Sequence, residues 1–264
     1  MLRDWSKTLA GVAFAAALAV APALVPGVAR AQDHGTAPEI PDANFSFSGP
    51  LGTFDRAELQ RGAQIYLQVC ANCHSMHLLS YRNLRDIGLS AQQVEAIAAS
   101  VQVPGAPNDE GVVADRPGRP TDRFRSPFPN EAAARTANGG ALPPDLSVLV
   151  KAREEGADYV HALLTGYRDP PAGVHVPEGM HYNEFYPGHM IAMPKPLNDG
   201  QLSFPGQDNP SLDQLSRDVT AFLTWAAEPN LEARHSMGVR IVIFLLVLWG
   251  LAFMLKRKLW ADLH

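Results

Sequence analysis

The residues best suited to chemistry are the two cysteines of the chain, which lie in one pentapeptide, Cys70-Ala71-Asn72-Cys73-His74. This C-x-x-C-H pattern is the attachment signature of a c-type haem. Two thiols three positions apart at the end of a helix reach the two vinyl groups of one porphyrin edge. The histidine that follows them then points a ring nitrogen at the iron. Two cysteines are too few for a disulfide framework, a four-cysteine zinc site or a cysteine-ligated iron–sulfur cluster.

Three other interpretations of the pentapeptide fit the sequence less well than a c-type haem site. A thioredoxin-like redox pair requires a βαβ context, which the sequence does not offer. A zinc site built from both cysteines and two histidines such as His77 would need a ligand geometry that His74 crowds. A chance match is disfavoured because the motif uses every cysteine of a chain whose helices are too short to form a good core. We therefore predict one covalently attached haem that fills the interior.

A haem iron that only transfers electrons needs a sixth ligand, and a thioether raises its potential when paired with histidine. The candidates are Met76, Met180, Met190, Met193, His181 and His189. Met76 lies too close to the attachment site to reach the opposite face. Met193 lies in a non-helical segment stiffened by two prolines, which suits a weak iron–sulfur bond. We favour Met193, then Met190, and core packing is the alternative role of each methionine.

Short helices must position these groups. Apolar periodicity and capping residues predict helices at residues 54–69, from 90 onward, at 145–155, 158–164 and from 211 onward. Between residues 104 and 144 there are eight prolines, which predict extended or turning chain, and residues 167–210 are also irregular. The predicted fold is all-α: a class I-like c-type cytochrome domain with long proline-rich insertions and one C-terminal transmembrane helix.

The N-terminus has the three parts of a secretory signal. Arg3 and Lys7 precede an alanine-rich apolar run, and the small-residue site Ala29-Arg30-Ala31 follows it. We predict a cleaved signal over residues 1–31 and a haem-binding ectodomain over 32–236. An uncleaved membrane anchor is the alternative. The leader lacks the arginine- and serine-rich stretch of a mitochondrial transit peptide, which favours a bacterial plasma membrane.

The C-terminus predicts a membrane anchor. The fifteen residues from Ile241 to Leu255 carry no charge, and Lys256, Arg257 and Lys258 follow directly. A run this apolar with a basic end is unlike a buried core helix. Because positive charge stays inside, we predict an anchor at 237–257, a cytoplasmic tail at 258–264 and a periplasmic ectodomain.

The charge balance separates along the chain. The whole sequence carries −5, of which the signal contributes +2, Arg240 +1 and the tail +2, so the ectodomain carries −10. An acidic body argues against nucleic-acid binding and attracts basic partners.

Several longer segments resemble those of the cytochrome c1 family, the c-type haem subunits of cytochrome bc1 (ubiquinol–cytochrome c reductase) complexes. They are residues 61–66 leading into the motif, 81–84, 138–147, 164–167, 186–193 and 218–229. The likeness runs from about Phe45 to the C-terminus. ALPPDLS at 141–147 and FLTWAAEP at 222–229 are far more specific than C-x-x-C-H.

This resemblance implies roles for individual residues. Cys70 and Cys73 match the thioether cysteines, His74 the proximal ligand and Met193 the distal ligand. Arg153 matches an arginine that meets a haem propionate, and Tyr159 matches a tyrosine of the haem pocket. Pro143 and Pro144 match prolines that pack on the haem edge. A solvated helix arginine is the alternative for Arg153. Unlike some family members, the chain has no further cysteine pair, so the loop from Gly166 to Met193 must be held by its prolines and the haem.

The resemblance also implies a function in respiratory electron transport. The haem would accept an electron from a Rieske iron–sulfur protein and pass it to a soluble cytochrome c, beside cytochrome b in a dimeric complex. The chain alone would be an electron carrier without catalytic residues. The alternatives are a membrane-tethered mono-haem carrier or oxidase subunit outside such a complex, and a colourless structural anchor with a zinc or disulfide site.

Overall fold

The computed structural model describes residues 38–261, so the predicted signal peptide and the last three residues lie outside it. Its helices are α1 (Arg56–Gln68), α2 (Ala91–Ala99), α3 (Glu131–Ala137), α4 (Ala157–Thr165), α5 (Leu212–Ala227) and α6 (Leu231–Trp260). The short strands form two antiparallel pairs. Strand β1 (Gln102–Pro107) pairs with β2 (Val113–Pro117), and β3 (His181–Tyr182) pairs with β4 (Met190–Ile191). Short 3-10 helices lie at Cys70–Asn72, Tyr81–Ile87 and Leu149–Ala152. The all-α prediction, with one long apolar C-terminal helix, is confirmed.

Helices α1 and α5 form the centre of the core. Their backbones approach so closely at Gly62 that a Cβ atom there would lie 2.0 Å from the Asp218 carbonyl oxygen. Only glycine fits such a contact. Beside it the rings of Tyr66 and Phe222 pack with centroids 5.9 Å apart, and both side chains are fully buried. The predicted apolar stripes of both helices are therefore the faces that meet.

A buried ion pair lies beside this contact. Arg61 Nε and Nη2 each donate to one oxygen of Asp218, both at 2.7 Å, and Gln214 adds a bond of 2.8 Å. The Asp218 side chain has no exposed surface, while that of Arg61 keeps 26%. The hydrogen bond to Asp218 raises the pKa of Arg61, so the guanidinium stays charged. The pair fixes the register of α1 on α5.

Two predictions about the irregular segments were wrong. The proline-rich stretch is extended in the β1–β2 hairpin, as predicted, but it also contains the alanine-rich helix α3, whose first turn is capped by the Asn130 side chain accepting from Ala133 N at 2.9 Å. Conversely, residues 145–155 form only a 3-10 turn at Leu149–Ala152, because Asp145 bonds to distant groups instead of opening a helix.

Helix α6 contains 30 residues. Its most apolar stretch of 18 residues has a mean hydropathy of 2.4, and none of that stretch is buried. The helix is long and apolar enough to span a membrane. Its first turn is held by the residues at the start of α1, since Glu232 accepts from Phe54 N at 2.8 Å and pairs with Arg56 at 2.6 Å. The helix therefore leaves the body in a fixed direction.

Replacing Arg61 should show how much the buried pair contributes. Arg61→Met leaves the Asp218 carboxylate buried without its cation, and we expect the free energy of unfolding to fall by about 3–5 kcal/mol. The matched control, Arg56→Ala, removes the exposed partner of Glu232 and should cost less than about 1 kcal/mol. Urea unfolding in detergent measures both, and equal losses would contradict the assigned role of Arg61.

Candidate haem-binding site

The C-x-x-C-H motif forms a tight turn at the end of α1. Cys73 N and His74 N both donate to the Cys70 carbonyl, at 3.1 Å and 2.8 Å. Cys70, Cys73 and His74 therefore lie on one turn of chain. Cys70 packs partly buried against the core, whereas Cys73 is exposed, and neither is in a disulfide.

The tautomer of His74 follows from one hydrogen bond. His74 Nδ1 lies 2.8 Å from the Pro144 carbonyl oxygen. Because a carbonyl only accepts, Nδ1 carries the proton and Nε2 keeps a free lone pair. Desolvation lowers the pKa of His74, which also favours the neutral ring. The imidazole is thus prepared to ligate a metal through Nε2.

Asp145 holds the Pro144 carbonyl in place, which the sequence did not predict. One carboxylate oxygen accepts from Ser75 Oγ at 2.9 Å, His77 N at 2.9 Å and His77 Nδ1 at 2.6 Å. The other accepts from Ser147 N at 2.9 Å. Asp145 therefore fastens the ALPPDLS segment to the residues that follow the motif.

A cavity of about 690 Å³ opens beside the motif. Cys73, Leu142 and Pro143 line one wall, and residues 122–131 line the other. Its volume lies within the range of small-molecule and cofactor sites. Pro143 thus lines the same cavity as Cys73, while Pro144 is exposed and its carbonyl accepts from His74.

The predicted distal ligand lies on a segment tied to the core. The Met193 side chain is partly buried against the core, and its carbonyl accepts from Tyr167 OH at 2.9 Å. The preceding loop is organised by Asn183, which is fully buried. Asn183 donates to the Leu163 carbonyl at 2.8 Å, and its side-chain oxygen accepts from two backbone amides.

The loop that carries Met193 also depends on Gly166. A Cβ there would lie 2.5 Å from the Phe185 ring and 3.1 Å from Asn183 Oδ1. Backbone and amide contacts therefore hold this loop without a disulfide. Asn183 was not among the residues predicted for the site, although an asparagine close to a proline–glycine turn, here Pro187-Gly188, is a signal of such a role.

Arg153, which precedes α4, lies close enough to Tyr159 in the first turn of α4 to act on it electrostatically. Desolvation raises the pKa of Tyr159, and the positive charge of Arg153 opposes that shift. Tyr159 packs partly buried against the core, whereas Arg153 is exposed and donates to the Ala152 carbonyl at 2.9 Å. The Arg153 guanidinium therefore has donors free to meet an anionic group.

These donors fit a haem. A neutral imidazole with a free Nε2, two free thiols on one turn and a partly buried thioether are the groups that a c-type haem requires. Within residues 38–261, no group of three or more His, Cys, Asp and Glu side chains is placed to hold a metal ion, so the zinc alternative finds no ligand set there. The two-stranded sheets in the same range form no βαβ unit.

Comparison with known proteins gives a consistent result. The sequence model of the Cytochrome C1 family matches residues 45–263. The chain is 49% identical to mitochondrial cytochrome c1-2, heme protein, of Solanum tuberosum, over 88% of each chain. It is 39% identical to cytochrome c1 of Rhodospirillum rubrum, over 89% of this chain and 92% of that protein. It is 45% identical to cytochrome b/c1 of Bradyrhizobium diazoefficiens over its whole length, but spans only 42% of that relative.

Asp145→Asn should weaken the attachment of the ALPPDLS segment. At pH 7 we expect the free energy of unfolding to fall by about 2 kcal/mol, since bonds to a charged acceptor are worth about 1.5–3 kcal/mol. The control is Asp109→Asn, at an exposed turn. This substitution should change the free energy of unfolding by less than about 0.5 kcal/mol.

The effect of Asp145→Asn should also depend on pH. Desolvation alone would raise the pKa of Asp145, but hydrogen bonds from Ser147, His77 and Ser75 outweigh it and hold the pKa at about 2. The stabilisation is therefore complete above the ordinary pKa near 4 and is lost as pH falls towards 2. Urea unfolding at a series of pH values from 7 to 2 measures this effect. The difference in the free energy of unfolding between the native chain and the variant should shrink as the pH falls from about 4 to 2. A difference that grows with acidity would contradict the assignment.

Proposed function

Because the chain belongs to the cytochrome c1 family, we propose that its haem accepts an electron from a Rieske iron–sulfur protein and passes it to a soluble cytochrome c. The family comprises c-type electron carriers of cytochrome bc1 complexes. In this proposal the complex oxidises quinol and translocates protons, cytochrome b holds the quinol sites, and the complex is a dimer. This chain contributes one redox centre and no bond chemistry.

Cys70 and Cys73 would hold the haem through two thioethers, and His74 Nε2 and Met193 Sδ would ligate its iron. Bound haem supplies the one-electron couple of its iron. The observation that carries the proposal is the hydrogen bond from His74 Nδ1 to the Pro144 carbonyl, which leaves Nε2 free. A backbone acceptor fixes the ring orientation and raises the basicity of the ligating nitrogen.

Other residues would set the surroundings of the haem. Arg153 would reach a propionate with the donors that its bond to the Ala152 carbonyl leaves free. Tyr159 would line the pocket, and Pro143 and Pro144 would pack on the haem edge. Cavity contact by Pro143 and partial burial of Tyr159 support this arrangement.

We propose the following topology. The signal is cleaved after Ala31, the ectodomain of residues 32–236 is periplasmic, residues 237–257 cross a bacterial plasma membrane, and residues 258–264 are cytoplasmic. The length and hydropathy of α6 support the crossing. The basic residues at 256–258 support its direction, because positive charge favours the cytoplasmic side.

Replacing Met193 tests the axial ligand and, through it, the function. Met193→Leu should keep the covalent haem but lower its reduction potential, because a thioether stabilises the ferrous state. Acceptance of an electron from the Rieske protein becomes uphill, so quinol oxidation by the purified complex should slow sharply. Redox titration and turnover assays measure the two effects.

Met190→Leu is the matched control, because Met190 lies three residues earlier on the same segment. It should leave the potential and turnover near those of the native chain. A silent Met193→Leu together with an impaired Met190→Leu would overturn the choice of ligand.

A basic cytochrome c should be steered to the acidic body by long-range attraction, which weakens as salt rises because the Debye length is about 10 Å at 0.1 M. Five exposed acids in the proline-rich stretch and in the loop before Met193 are candidates: Asp109, Glu110, Asp115, Glu178 and Glu184. Neutralising them together should lower the bimolecular rate and flatten its salt dependence without altering the haem spectrum.

Stopped-flow reduction of soluble cytochrome c across a salt series measures this effect. Neutralising the exposed Asp86 and Glu95 near α2 is the control and should change the rate less. A native rate that does not respond to ionic strength would mean that the acceptor is not a basic soluble protein.

A further inference from the structure

An exposed leucine lies at the tip of a tight turn at residues 49–52. Gly52 N donates to the Gly49 carbonyl at 3.3 Å, and Pro50 and Leu51 occupy the two central positions. Leu51 is 75% exposed, the highest value for a large apolar side chain among residues 38–261. A single exposed leucine is common on soluble proteins, so the surroundings of this turn decide its meaning.

The turn is rigid. Its two arms enter an aromatic cluster in which Phe47 packs on Phe45 and Phe54, with ring centroids 4.8 Å and 5.1 Å apart. All three rings are buried. A Cβ at Gly52 would lie 2.2 Å from the Phe47 carbonyl group, so the chain closes there only with glycine. Leu51 is consequently held outward and does not fold back onto the core.

The same turn is joined to the start of α6. His235 Nδ1 donates to the Gly52 carbonyl at 3.0 Å. Two residues further along, Phe54 N donates to Glu232 at 2.8 Å. The position of Leu51 along the axis of α6 is therefore fixed near His235.

The thickness of the bilayer places His235 at the membrane surface. A hydrocarbon core of about 30 Å takes about 20 residues of helix. Leu255 is the last residue before the basic cluster, and twenty residues counted back from it begin at Ser236. Arg240 then lies about 6 Å inside the boundary, within reach of the headgroups by snorkelling. His235 and the Gly52 carbonyl bonded to it lie at the headgroup level.

We propose that the turn at residues 49–52 is a second membrane contact, in which Leu51 inserts at the boundary between headgroups and acyl chains beside α6. This inference rests on the proposed crossing of α6. The ten residues from Phe45 to Phe54 carry no charge, although the ectodomain carries −10, so no charged group of the segment is desolvated. A lipid surface is the partner that continues directly from the apolar face of α6.

The second contact would fix the orientation of the ectodomain. A body attached by one helix alone can tilt about the point where the helix enters the membrane. A rigid turn touching the surface beside that point removes much of this freedom. The haem would then stand at a constant height above the membrane, which a carrier between membrane-bound and soluble partners needs.

Nitroxide labels at three positions test the contact in the full-length, haem-loaded chain. Leu51→Cys carries the test label, Val112→Cys is the matched control at the exposed end of the β1–β2 hairpin, and Leu248→Cys reports on the middle of α6. The chain is placed in phosphatidylcholine and phosphatidylglycerol vesicles. Power-saturation EPR then compares collisions with oxygen, which enters lipid, and with a water-soluble nickel chelate. The chain without an added cysteine should take up no label if both motif thiols are in thioethers.

We expect the ratio of oxygen to nickel collisions to be highest at position 248, intermediate at 51 and lowest at 112. If position 51 matches 112 while 248 is protected, the membrane contact is overturned and the crossing of α6 stands. If 248 is open to nickel, the crossing fails and the contact fails with it. If the label at 51 is as exposed as at 112 in vesicles and becomes shielded only in the assembled complex, the occupant is a protein and the lipid contact is overturned.

Discussion

The close approach of α1 to α5 at Gly62 is the contact on which the rest of the structure depends. It allows the Asp218 carbonyl to lie where any side chain of residue 62 would be, and the adjacent Arg61–Asp218 pair fixes the register. Helix α1 ends directly at the C-x-x-C-H turn, and α5 is followed after a short break by α6. One helix pair thus sets the position of the proposed haem attachment relative to the start of the apolar helix.

Both residues proposed to ligate the iron owe their positions to hydrogen bonds with groups distant in the chain. His74 needs an acceptor for Nδ1, and the Pro144 carbonyl lies 70 residues away in the chain. Asp145 holds that carbonyl by bonding to groups on the His74 side. The Met193 segment is held in the same way by Tyr167, which bonds to its carbonyl. A weak iron–thioether bond persists only when the protein holds the sulfur, and this arrangement requires no disulfide.

The first turn of α6 is likewise held by hydrogen bonds to residues that are distant in the chain. Glu232 accepts from both Arg56 and Phe54 N, so the first turn of α6 is bonded to the residues that begin α1. Segment 45–54, which is bonded to that first turn, carries no charge, although the predicted ectodomain is acidic. The proposed membrane contact and the proposed attraction of a soluble partner therefore involve different parts of the surface.

Features that depend on neighbouring residues were predictable from the sequence alone. The C-x-x-C-H spacing, the apolar periodicity of α1 and α5, the caps at Ser90 and Ser211 and the long apolar run of α6 are local, and the structure has each of these elements. Helix α3 was local as well, with Asn130 as its cap, but the density of prolines around it concealed an alanine-rich run.

Contacts between groups that are far apart in the chain could be seen only in the folded structure. Asp145 was predicted to open a helix, yet it binds groups 68 and 70 residues away, because four hydrogen bonds to a carboxylate outweigh a helix cap. Asn183 and Tyr167 likewise gained their roles from partners outside their own segments. Periodicity and spacing report which face of an element is apolar. They do not report which distant donor meets which acceptor, since that depends on how closed loops bring the segments together.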